Sequence, residues 1–251
     1  VFFDLDGTLL NGESKVDVAT AKAIQTLKNN GYEPFIATGR SSAETRDIME
    51  SANIHSGIFM NGQVVLYQGK RVYSSEIPTE MVKKFHQMVK EDGYGFTAYN
   101  DKEFYLVEST DGAKDAYGFI HTNPPALNAD FYIDNPINML LFICLPPAEE
   151  KYKVAFPNLD FLRNTPYSVD VISKGNSKAE GIKRFLEYLN QEDAETYAFG
   201  DGPNDIEMLQ AVTHPVAMGN AIPVLKELAE FITTNNTDNG IINGLKHYGL
   251  I

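Results

Sequence analysis

At 251 residues, with 43% hydrophobic and 22% charged side chains, the chain has the composition of a soluble globular protein and the length for one large domain or two smaller ones. A formal net charge of −13 argues against nucleic-acid or anionic-membrane binding, which needs clustered Lys and Arg, and an anionic substrate requires local cations that reverse the sign of the field. The apolar run 139–145 is too short to cross a bilayer, Asp4 and Asp6 interrupt any signal peptide, and the single Cys144 cannot form an internal disulfide; the expected compartment is the cytoplasm.

Residues 1–5 read as an apolar strand running into Asp4 and Asp6, which strand alternation places on one side of its end; Gly7 then lets the backbone leave the sheet. Residues 17–30 carry Val18, Ala21, Ile24 and Leu27 at helical spacing, with Gly31 as the stop signal. A strand at 33–38 is followed by Ser41-Ser42-Ala43-Glu44, a capping box for a helix running to about Ala52. A third strand at 57–60 precedes a hairpin, 64–67 and 71–73, around Gln68-Gly69-Lys70.

The middle of the chain changes character: a helix at 79–91, strands at 96–99 and 104–108, an apolar strand at 137–145, a helix at 149–156 and a strand pair ending at Ile172. Beyond it, Ser177 caps a helix with Ile182, Phe185, Leu186 and Leu189 on one face. Strands at 197–199, 215–218 and 231–233 then alternate with helices at 206–211 and 222–229. Such alternation predicts an α/β fold: a Rossmann-like, doubly wound parallel sheet from residues 1–78 and 174–251, with an α+β domain, 79–173, inserted into it.

In such a sheet ligands bind beyond the carboxyl ends of the strands. The polar clusters fall at those ends: Asp4-Leu5-Asp6, Ala37-Thr38-Gly39-Arg40, Met60-Asn61-Gly62, Gly200-Asp201-Gly202-Pro203-Asn204-Asp205 and Met218-Gly219-Asn220. One acid ending a strand is an ordinary turn residue; two acids held together repel unless a cation or a shared proton relieves them.

Asp4-Leu5-Asp6-Gly7-Thr8, the Thr38-Gly39 strand end, a lysine at a helix start and the Gly200-to-Asp205 run resemble, in order, the four motifs of the haloacid dehalogenase superfamily. The long insertion, Asn61-Gly62 and Ala217-Met218-Gly219-Asn220-Ala221 are similar to the Cof-type phosphatases, whose type IIB cap the inserted domain would be. The resemblance implies a Mg²⁺-dependent phosphatase in which Asp4 attacks phosphorus to give an aspartyl-phosphate. Asp6 would protonate the leaving oxygen and then activate water. It also implies metal ligation by Asp4 and Asp201, with Asp6 contributing its backbone carbonyl, and by Asp205 either directly or through a bound water. An oxygen-only ligand set suits Mg²⁺. Phosphate would be held by Thr38, Gly39, the Leu5 N–H, Asn204 and Lys178, with Thr38 and Gly39 at the start of the Ser41 helix forming an anion site. Lys178 is preferred to Lys174 because it opens an amphipathic helix, where the family pattern puts its phosphate-binding lysine, whereas Lys174 lies at the exit from the insertion.

A cap closing over the site would exclude surplus water. Its candidate substrate contacts are Arg163, Tyr99, Asn100, His121 and Tyr167, while Arg40 is either a phosphate contact or a structural ion-pair partner. The expected partner is a small phosphorylated metabolite, sugar phosphates ahead of flavin mononucleotide and pyridoxal phosphate. No nucleic acid or membrane is expected, and the chain is expected as a monomer or weak homodimer. The alternatives are a phosphomannomutase-like phosphomutase, against which a single cap arginine argues, and a metabolite-binding protein without catalysis.

Overall fold

The structure is a computed structural model that describes residues 1–120, 122–163 and 165–251. Val1–Tyr73 and Asn176–Ile251 make one compact unit, and Ser74–Gly175 makes a second.

The first unit contains β1 (Phe2–Phe3), α1 (Val18–Asn29), β2 (Phe35–Ala37), α2 (Arg46–Ala52), β3 (Ser56–Phe59), β4 (Val64–Tyr67) and β5 (Lys70–Ser74). The second unit contains α3 (Thr79–Asp92), β6 (Gly95–Tyr99), β7 (Phe104–Glu108), α4 (Ala113–Phe119), α5 (Phe131–Asp134), β8 (Met139–Ile143), α6 (Glu149–Ala155), β9 (Leu159–Arg163) and β10 (Ser168–Ser173). The chain then returns to the first unit with α7 (Lys178–Leu189), β11 (Tyr197–Gly200), α8 (Ile206–Ala211), β12 (His214–Ala217), α9 (Pro223–Leu228), β13 (Phe231–Ile232) and α10 (Gly240–His247).

The first sheet runs β13-β12-β11-β1-β2-β3-β4-β5, parallel from β13 to β3 and antiparallel where β4 returns along β3. Its central strands are short and wholly buried, as parallel strands covered on both faces must be. Their aromatic side chains fill the core: Phe35 lies 4.2 Å from Phe185 of α7, and Phe3 stacks on Phe199 at 5.1 Å. The chain leaves β1 toward β2 and β3 on one side, and comes back as β11, β12 and β13 on the other. The switch point of the sheet therefore lies between β1 and β11, where the crevice at the strand ends is expected to receive a ligand.

The second unit is an antiparallel sheet, β7-β6-β8-β10-β9. On one helix, Phe85 of α3 sits within 5.4 Å of the rings of Phe96, Phe142, Tyr152 and Phe156, so one buried phenyl ties α3, two strands and the end of α6 together.

Two elements differ from the sequence reading at the site. The first strand stops at Phe3: the Asp4 N–H makes the last rung to the Phe199 carbonyl (3.0 Å), and the N–H groups of Leu9 and Leu10 turn back onto the carbonyls of Asp4 and Leu5. Asp4 and Asp6 thus lie in a turn rather than on a strand, and alternation does not align them. The capping box forms, with the Ser41 N–H and hydroxyl donating to Glu44 Oε2 (2.8 Å each) and the Glu44 N–H donating to Ser41 Oγ (3.3 Å), yet α2 begins only at Arg46. The Thr45 hydroxyl donates to the carbonyls of Ser41 and Ser42, holding the segment as a turn. Thr38 and Gly39 therefore do not stand at a helix N-terminus, and that part of the expected anion site is withdrawn.

Helices α4, α5 and α10 carried no clear pattern. In α10, Gly240 and Gly244 each lower helix propensity by about 1 kcal/mol relative to alanine. A Cβ at Gly244 would collide with the Phe199 ring, so the residue that hides the helix is the one its packing requires.

Candidate active site

The carboxyl ends of β1 and β11 and the first turn of α7 bring four charged side chains together. Asp4 leaves β1 only 6% exposed. Lys178 opens α7 behind its N-cap Ser177, whose hydroxyl accepts the Glu180 N–H at 3.3 Å, and is buried to 1% exposure. Its ammonium donates to Asp4 Oδ1 and to Asp205 Oδ1, each at 2.6 Å. Asp205 is wholly buried; its second oxygen accepts the N–H groups of Asp201 and Gly202, both at 3.0 Å, which fixes the loop after β11. Asp201 is half-buried and accepts the Thr8 hydroxyl on Oδ1 at 2.8 Å. Gly7, at φ +83°, lets the first loop lie against Asp201: a Cβ there would overlap that carboxylate.

Three acids share one lysine. Burial pushes Asp4 up to about 8; Lys178 pulls against this, and Asp205 and Asp201 add to it. Burial also raises the Asp201 carboxyl. Burial opposes the Lys178 charge, but Asp205 and Asp4 override it and hold the ammonium above its ordinary value. One carboxylate oxygen from each of Asp4, Asp201 and Asp205 lies within 4.8 Å of the other two. The donors are hard oxygens carrying more negative charge than Lys178 neutralises, so the residues fit a hard divalent cation.

The profile of the haloacid dehalogenase-like hydrolase family matches residues 1–245. The chain belongs to this family. It is 36% identical over its whole length to the Bacillus subtilis protein named "Putative phosphatase YkrA", covering 98% of it. Two solved structures, each 28% identical, superpose over the whole chain. The HAD-superfamily phosphatase BT1666 of Bacteroides thetaiotaomicron gives a TM-score of 0.89 with 94% of its chain covered, and the HAD subclass IIB sugar phosphatase BT4131 gives 0.84 with 98% covered.

In this hydrolase the remaining expected residues lie outside that group of three carboxylates. Asp6 is exposed and outside the convergent carboxylates; the Arg40 guanidinium clasps it, Nε at 2.9 Å on Oδ2 and Nη2 on Oδ1. Of the two roles expected for Arg40, the structure shows the ion pair. Thr38 is buried beside β2, its Oγ1 accepting the Arg40 N–H at 3.1 Å, and Gly39 completes that turn. Leu5 is buried, its carbonyl accepting the Leu10 N–H. Asn204 is exposed in the turn Pro203–Asp205.

Lys174 lies in the second unit, its ammonium 3.4 Å from the Pro157 carbonyl. There, Arg163 is committed to structure, with Glu149 on Nε and Nη2 (2.7 Å each) and the carbonyls of Cys144, Thr165 and Pro166 on Nη1. Asn100 caps its own turn through the N–H groups of Lys102 and Glu103, and Tyr99 bonds the Tyr117 hydroxyl at 3.0 Å. The Tyr167 ring lies 5.8 Å from that of Phe119, and His121 lies outside the described residues.

Two site residues had no assigned role. Thr8, named only within the first motif, is a hydrogen-bond donor to Asp201. Asn220, noted only as part of a strand-end cluster, donates to the Gly7 carbonyl at 2.8 Å and reaches Asp201 Oδ2 at 3.4 Å. Its position at a strand end was legible; its reach to the first loop was not. Among the described residues no helix is long and apolar enough to cross a membrane.

Proposed function

We propose that this hydrolase is a Mg²⁺-dependent phosphatase that cleaves phosphate monoesters of small metabolites, sugar phosphates first, through an aspartyl-phosphate on Asp4. The observation that carries the reading is the buried Asp4 carboxylate held at 2.6 Å by a buried lysine, with Asp201 and Asp205 converging on the same point at the sheet's switch point. A sugar phosphatase among the superposable structures supports the substrate class.

In this reading Lys178 keeps Asp4 ionised and fixes Oδ1, leaving the carboxylate to attack phosphorus in line. The bond from Asp4 to phosphorus forms as the ester P–O bond breaks, and the leaving oxygen takes a proton from Asp6. Water then attacks phosphorus, gives its proton to Asp6 and releases inorganic phosphate, restoring Asp4. A carboxylate bound on both oxygens by Arg40 is an acceptor, so Asp6 acts as an acid only after exchanging Arg40 for a proton. Thr38 and Gly39 line the phosphoryl site from the β2 side. A divalent cation bound by Asp4, Asp201 and Asp205, Mg²⁺ by the hardness of its donors, supplies positive charge against the phosphoryl oxygens.

The test is phosphate release from a panel of phosphorylated sugars, flavin mononucleotide and pyridoxal phosphate in Mg²⁺, with Asp4→Asn as control. Turnover by the wild type and none by a folded Asp4→Asn is expected. Equal turnover by both rejects the nucleophile, and no release from any substrate rejects the phosphatase.

A further inference from the structure

Asn220 ties three loops at the site through one amide. Its Nδ2 donates to the Gly7 carbonyl at 2.8 Å and lies 3.4 Å from Asp201 Oδ2, while its Oδ1 accepts the Asn236 N–H at 3.0 Å. The backbone around it is strapped to the same loop: the Met218 N–H donates to the Gly200 carbonyl and the Ile222 N–H to the Asp201 carbonyl, both at 3.0 Å. Asn236 in turn donates its side-chain amide to the Leu10 carbonyl at 2.8 Å, closing the ring of contacts back onto the first loop.

The consequence falls on Asp201. Thr8 holds Oδ1 at 2.8 Å from one side and Asn220 approaches Oδ2 from the other, while Gly7 lies against the carboxylate with no Cβ between them. A carboxylate offers about four lone-pair positions, so one donor on each oxygen sets the plane of the group and leaves acceptor capacity on both. Amide chemistry is needed at 220 because the same side chain must donate toward a carbonyl and a carboxylate and accept from an N–H. An aliphatic side chain does neither, and a hydroxyl is too short to span all three partners.

We infer that Asn220 is a positioning residue for the metal site: it orients Asp201 toward the cation and locks the Gly7 turn that carries Asp4. The inference rests on the proposed metal reading. Partners that orient a ligating carboxylate typically contribute about 10–100-fold in metal affinity.

The test reads metal binding without turnover, by counting free Mn²⁺ with electron paramagnetic resonance in titrations of the whole protein. Asn220→Ala and the shorter polar Asn220→Ser are expected to bind Mn²⁺ about 10–100-fold more weakly than wild type. Asn220 is exposed, so both variants are expected to fold, which metal-free unfolding midpoints check. Asn243→Ala removes a neighbouring 2.9 Å bond to Thr234 Oγ1 in the same loop region and is expected to bind Mn²⁺ as wild type does. Wild-type affinity in both Asn220 variants overturns the inference, as does an equal loss in Asn243→Ala, which assigns the effect to general loosening. A wild-type protein that binds no Mn²⁺, or an Asp201→Asn variant that binds it unchanged, rejects the underlying metal reading itself.

Discussion

Replacing Lys178 with methionine keeps most of the side chain's length and apolar stem and removes its ammonium, with its charge and its two hydrogen bonds. The two carboxylates it holds, Asp4 and Asp205, are 6% and 0% exposed, so water cannot take over. At 2.6 Å and an effective dielectric of about 20, each contact attracts by roughly 6 kcal/mol, offset by desolvation of several kcal/mol per ion. What the substitution exposes is the other side of that balance: uncompensated buried acids, whose typical cost is about 3–5 kcal/mol. For a chain of this size, at about 2–4 °C per kcal/mol, the unfolding midpoint falls by roughly 6–20 °C. Asp4→Asn should behave oppositely. Burial raises the Asp4 carboxyl above its ordinary value, so removing its charge relieves a desolvation penalty, while the amide keeps the same shape and Asp205 still pairs Lys178. Its stability is expected to stay within about 1 kcal/mol of wild type. Both variants should lose phosphate release from an aryl phosphate in Mg²⁺. The assay is calorimetric unfolding at pH 7 in EDTA beside turnover. Equal midpoints for the two variants, or an unshifted Lys178→Met, refutes the assignment of one lysine neutralising several acids.

Two further outcomes are expected. Glu149 is held below its ordinary carboxyl value, first by its hydrogen bonds to Arg163, so its contribution to stability is complete above pH 4.5 and disappears as pH falls through its lower folded value. Urea unfolding of wild type and Glu149→Gln should differ by about 1.5–3 kcal/mol at pH 7, and the gap should narrow progressively as pH is taken below 4.5; a constant gap contradicts the ion-pair origin. Asn61 sits at φ +51° with both amide atoms buried and unpartnered among the described residues. Asn61→Gly, free to adopt that conformation, is expected to raise stability by about 1 kcal/mol, and a loss in urea unfolding contradicts this.

The alternation of strands and helices was legible because buried parallel strands leave short, continuous apolar runs, and α7 because Ser177 caps a stripe containing Ile182 and Phe185. Lys178 was legible through the family resemblance, whose pattern puts a lysine at a helix start, together with the Ser177 cap that marks where this helix begins. What sequence spacing does not carry is the identity of a partner many residues away. Asp4 and Asp6 look equivalent in the chain, yet one is buried against a lysine from α7 and the other is exposed against Arg40. The difference comes from a strand that ends at Phe3, two residues earlier than the apolar run 1–5 suggests. The start of α2 escaped for a local reason, since the capping box formed on a turn that Thr45 then sealed.

The net charge of −13 posed a question that the site geometry makes sharper. An anionic substrate needs a local reversal of sign, and the sequence offered Lys178 and Arg40 to provide it. In the structure Lys178 is clasped between Asp4 and Asp205, and Arg40 is clasped by Asp6. Both cations are therefore spent on the acids beside them, and Asp201 adds further negative charge at the same point. Local side chains do not reverse the field; they hold the acids in place. In the proposed reading the reversal belongs to the divalent cation, so phosphate should bind the protein weakly without metal and much more tightly with it. The residues that aim Asp201, Thr8 and Asn220, then govern substrate affinity without touching the substrate.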